Sequence, residues 1–60
     1  MNVYIWSDEH GAYWREGGHG YTAIKEEAGV FDFDYASRFL GESYADKLIK
    51  LIPAEPEYSI

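Results

Sequence analysis

The residues of this 60-residue chain best suited to chemistry lie in SDEHGAYWREGGHGYT, positions 7 to 22, which holds two histidines, four glycines and three carboxylates. His10 and His19, completed by Asp8, Glu9 or Glu16, would make a nitrogen and oxygen set suited to zinc or a similar ion. Their spacing matches no closed metal motif, and the flanking glycines read as turns that leave both rings exposed. Ser7 with His10 or His19 and Asp8 has the composition of a nucleophile, a base and an orienting acid, but nothing in the spacing holds the three together. GGHG lacks the Lys and Ser/Thr of a phosphate loop and the strand-to-helix setting of a dinucleotide fingerprint. Asp32 and Asp34 are a carboxylate pair of the kind used in acid–base catalysis; in an acidic stretch they read as a solvated face. A domain this small forms a substrate-burying pocket with difficulty. The expectation is a protein with no catalytic residues, no metal and no cofactor.

Two other residue classes remain. Trp6, Tyr13, Trp14 and Tyr21 have the surfaces to stack bases, but that mode needs a basic track for phosphates and only Arg15 lies nearby. Packing against a helix is their expected role, with the placement of Trp6 and Trp14 left open because alternate strand residues face opposite ways. The acids are harder to explain by folding. Eleven Asp and Glu against five Lys and Arg give a net charge of -6, and residues 26 to 46 hold six carboxylates against Arg38 alone. Such a balance disfavours nucleic acid and anionic membranes as direct partners and favours a basic protein surface. Negative charge at a helix start complements the dipole, which suits Asp32. Glu42 and Asp46, four apart on a helix, repel one another, so their retention points to solubility or to a basic partner. The candidate partner-binding residues are Glu26, Glu27, Asp32, Asp34, Glu42 and Asp46, with Asp8 and Glu9 joining them from the first turn.

These side chains need a scaffold. NVYIWS alternates Val3 and Ile5 against Tyr4 and Trp6 and reads as a strand; GAYWRE repeats the pattern after the turn formers of SDEHG, giving an antiparallel hairpin with Gly11 at positive φ. EEAGVF reads as a turn, stopped by Gly29, that leads into a short extended piece. With Asp32 as N-cap, Ala36, Leu40, Tyr44, Leu48 and Leu51 recur at near-helical spacing and Phe39 and Ile52 widen the stripe, predicting a helix from about 33 to 50. Gly41 opens the alternative of two shorter helices, the second capped by Ser43. Lys47 and Lys50 suit the negative helix end, Pro53 stops it, and EYSI adds a C-terminal edge strand. The expected architecture is α+β in the order β-β-α-β, a small antiparallel sheet packed on one helix, as a single domain over residues 1 to 60.

A chain of this size buries only about 60% of the surface its unfolded form exposes, and without cysteine no disulfide offsets the thin margin. Two Trp, six Tyr and three Phe suggest a core built mainly from rings. No run of about 18 apolar residues predicts a membrane span, and MNVYIWSDEH lacks the pattern of a secretion signal, so a cytoplasmic protein is expected.

YIWSDEHGAYWREGGHGYT followed by EEAGVF and a helix resembles a class of small acidic proteins of phages and mobile elements. In that class a Trp-Ser strand, a second Trp-bearing strand, a Gly-Tyr-Thr stretch and a Glu-Ala-Gly turn precede one helix. The first half of the chain carries the resemblance and the rest follows by element order. Among such proteins it is similar to the anti-CRISPR inhibitors. The resemblance implies a non-enzymatic inhibitor in the bacterial host cytoplasm, with a monomer favoured and the oligomeric state left open. It would bind a CRISPR effector subunit, of a type I complex in preference to type II, and block target DNA with carboxylates standing in for phosphates. The alternatives are a small metal-binding protein using His10 and His19, and an accessory protein that dimerises through exposed aromatics.

Overall fold

A computed structural model describes residues 1–41 and 44–54. Strand β1 (Asn2–Ser7) is the centre of a curled antiparallel sheet. Strand β5 (Ile49–Pro53) lines one edge of it from Val3 to Ser7. The other edge is shared by β2 (Ala12–Trp14), paired at Trp6 and Ser7, and β4 (Phe31–Asp32), paired at Asn2 and Val3. Strand β3 (Tyr21–Thr22) extends the sheet beyond β2. One helix, α1 (Phe33–Leu40), follows β4 directly, and single 3-10 turns occupy Glu16–Gly18, Lys25–Glu27 and Tyr44–Lys47. The α+β class, an antiparallel sheet with one helix, is as the sequence predicts; the strand β5 at Ile49–Pro53 begins where the sequence predicts the end of a helix.

The period-two pattern of β1 decides the layering. Val3 and Ile5 are buried and pack with Ala36, Leu40 and Ile49, with Trp14, Phe31, Tyr44 and Leu51 around them. The fully buried centre is therefore aliphatic, not ringed, and burial of each such branched side chain contributes about 1.5–3 kcal/mol. Tyr4 and Trp6 point to the opposite face, where Tyr13 packs edge-on to Trp6 at 4.8 Å and lies 5.8 Å from Tyr4. Of the two tryptophans, Trp14 faces the helix and Trp6 does not, so the aromatic residues of the hairpin do not all pack under α1.

The predicted helix is cut short. Asp32 caps it as expected, its carboxylate accepting from the Tyr35 N–H at 3.2 Å. It ends at Leu40, where Gly41 adopts φ +86 and donates its N–H to the Ser37 carbonyl. Leu48, with φ +61, turns the chain into β5, and residues predicted as the last helical turn become a strand with Ile5 opposite Leu51 and Trp6 opposite Lys50. Two forces outweigh the helical spacing: Gly41 favours termination, and the second edge of β1 is a row of backbone donors and acceptors that β5 satisfies. Lys47 still reaches the helix end, donating from Nζ to the Leu40 carbonyl at 3.3 Å, while Lys50 lies on the sheet 3.7 Å from Asp8. The Ser43 cap and the EYSI strand fall outside the described residues.

Candidate functional site

The first turn shows what its polar residues do. Gly11, at φ +63, donates its N–H to the Ser7 carbonyl at 2.8 Å, and the buried Ser7 hydroxyl accepts the His10 backbone N–H at 3.1 Å. Ser7 is thus a turn clamp whose oxygen is engaged by backbone, not by imidazole. The His10 ring stacks on Tyr21 with centroids 4.0 Å apart, and His19 lies against Gly17, where a Cβ would stand 2.9 Å from the imidazole. Among the described residues no three His, Asp or Glu side chains come together in a group that could hold a metal ion.

The candidate acids are dispersed. Asp8 accepts from the Trp6 indole N–H at 2.8 Å and faces Lys50; Glu27 accepts from Arg15 at 3.1 Å and from Thr22 at 3.3 Å; Asp32 caps α1. These three have structural employment. Glu9, Glu26, Asp34 and Asp46 are exposed and have no side-chain hydrogen bond or ion pair among the described residues. Glu42 lies outside the described residues. Asp32 pairs across from Asn2 at the start of β1, whereas Asp8 and Glu9 follow its end. A six-residue strand separates those ends by about 17 Å. Asp46 sits at the Asp8 end, because the Leu48 carbonyl accepts the Asp8 N–H, and Glu26 and Glu27 lie beyond β2 and β3. The acids therefore occupy three sites, not one face.

A feature that periodicity alone did not mark lies between α1 and the end of β2. Ala36 and Leu40 form the buried row of the helix, but the adjacent row, Tyr35 and Phe39, is 60% and 63% exposed, its rings stacked at 6.1 Å. Phe39 meets Trp14 edge-on at 6.2 Å, and Trp14 meets Phe31 edge-on at 6.4 Å. Together they line a cavity of about 390 Å³ floored by Ile5 and Ala36, with exposed Val30 beside it. Its charged lining residues are Glu16 and Asp32, with no cation. Gly17 and Gly18, at φ +71 and +74, close one side with bare backbone. The Trp14 Nε1–H is buried without an acceptor among the described residues, so packing and not a hydrogen bond holds the indole.

Phe39 belongs to the predicted buried stripe, and the structure leaves it out because α1 turns Ala36 and Leu40 onto Val3 and Ile5. The sequence signal that was available is Tyr35 and Phe39 at i and i+4, beside that row instead of on it. Exposed aromatics in contiguous patches mark contact surfaces more reliably than solitary apolar residues do.

No protein-family model, no curated protein and no solved structure matches the chain.

Proposed function

We propose that this chain is a non-enzymatic inhibitor that binds a basic surface of a macromolecular partner. The partner assigned by the resemblance of its first half is a DNA-binding subunit of a bacterial CRISPR effector, engaged in the host cytoplasm so that target DNA is blocked. The observation that carries the reading is the exposed Tyr35–Phe39 row set beside the Glu16 and Asp32 carboxylates in a groove without a cation. Hydrophobic contact area and negative potential coincide there, the combination a basic protein surface recognises.

The dispersed acids act in a different way from a row of phosphate mimics. Charges about 17 Å apart exceed the Debye length of about 8 Å at physiological ionic strength, so each end of β1 acts independently in the bound state. At longer range the net charge of -6 steers encounter with a positive groove. The reading is thus a steered protein–protein contact, with carboxylates occupying phosphate positions only locally.

The test uses the acids that have no structural employment. Glu26→Lys, Asp34→Lys and Asp46→Lys together should abolish inhibition of target-DNA binding by a purified type I effector, read by gel mobility, with an unchanged far-UV circular dichroism spectrum. Full inhibition by the folded triple variant would refute the electrostatic reading.

A further inference from the structure

We infer that the groove between α1 and the end of β2 is built to receive an arginine side chain from a basic segment of the partner. This deepens the proposed function and rests on its claim that the partner is basic. Four observations narrow the occupant. The walls are aromatic faces and edges, Trp14, Phe31, Tyr35 and Phe39, which attract a planar guanidinium and pack its aliphatic stem. The rim holds the Glu16 and Asp32 carboxylates and no cation, so a cationic head finds partners there while a purely apolar occupant would strip water from two carboxylates without replacing it.

The potential at the rim also has a definite sign. The start of α1 contributes roughly half a positive charge, whereas Asp32 at its N-cap and Asp34 in its first turn contribute two negative ones, so the helix end is net negative. Lastly, the positive-φ backbone of Gly17 and Gly18 forms one wall without side chains, so no side chain there competes with an occupant for Glu16. A second copy of this chain is a poorer occupant, since it brings the same net charge of -6.

The experiment is an NMR titration of the isotope-labelled full chain with a pentapeptide alternating alanine and arginine, alongside its neutral citrulline counterpart and a leucine counterpart. The molecule carries its own control. The Trp14 indole N–H reports the groove, and the Trp6 indole N–H, bonded to Asp8 on the opposite face, reports cations that collect on an acid elsewhere. The arginine peptide should shift the Trp14 signal saturably and more than the Trp6 signal. Phe39→Ser should weaken that response roughly tenfold, as loss of a central aromatic anchor does, and Glu16→Gln should weaken it while leaving the Trp6 response unchanged. Equal responses at Trp6 and Trp14, insensitive to Phe39→Ser, would show diffuse attraction and overturn the groove assignment while leaving the basic-partner reading intact. An equal response to the citrulline or leucine peptide would overturn the cationic occupant. Movement of the Trp14 signal with protein concentration alone would assign the groove to a second copy, and no movement with any peptide would overturn the inference outright.

Discussion

At the scale of single residues, the polar side chains that look most like chemistry turn out to hold backbone together. Ser7 clamps the first turn, Glu27 ties Arg15 and Thr22 to the turn at Lys25–Glu27, and Asp32 caps the helix. The Arg15–Glu27 pair is about half exposed on both sides, so its electrostatic contribution is small, a few tenths of a kcal/mol. Gly29 has a stricter role. Its N–H donates to the Trp14 carbonyl at 2.9 Å, and a Cβ there would stand 2.6 Å from the Glu16 backbone. That contact brings the chain entering β4 against the end of β2 and so shapes the groove wall. Gly29→Ala should destabilise the fold by about 1–3 kcal/mol through forced backbone displacement, measured by urea denaturation. A variant as stable as the parent would show that the two segments are free to separate.

At the scale of elements, what was legible follows from local chemistry. The hairpin, the Gly11 turn, the Asp32 cap and the break at Gly29 each depend on residues adjacent in sequence, and each is found where the sequence places it. The C-terminal half was harder to read because Leu51 completes a helical stripe with Leu48 and, paired with Ile49, a strand face equally well. The decision between them lies in the free edge of β1, a contact nearly fifty residues away in the chain and invisible to any local window. The groove was hidden for a related reason: which of two apolar rows on α1 is buried depends on how the helix packs on Val3 and Ile5 of β1, a contact far away in the chain. The two rows predict opposite outcomes for neighbouring residues. Leu40→Ala should cost about 2–5 kcal/mol by opening a cavity in the aliphatic centre, whereas Phe39→Ser should change stability by no more than about 0.5 kcal/mol. Equal losses in chemical denaturation would mean that Phe39 belongs to the core and that the exposed row is not available to a partner.

At the scale of the whole molecule, the two faces of the sheet divide the work. One face, with Val3 and Ile5, carries the helix and the acid-rimmed groove; the other carries Tyr4, Trp6 and Tyr13, where Lys25 lies 5.3 Å from the Tyr4 ring and Lys50 faces Asp8. The charge is thus uneven in space as well as in sequence: two of the five basic residues lie against the outer sheet face, and the groove has none among its lining residues. No helix among the described residues is long and apolar enough to cross a membrane. The central claim is that this uneven surface engages a basic protein. Capture from a bacterial lysate on the immobilised chain, run across a salt series, tests it most directly. The account predicts a basic protein retained at low salt and released progressively as salt rises. Retention that ignores salt, or a captured partner that is itself acidic, would contradict it.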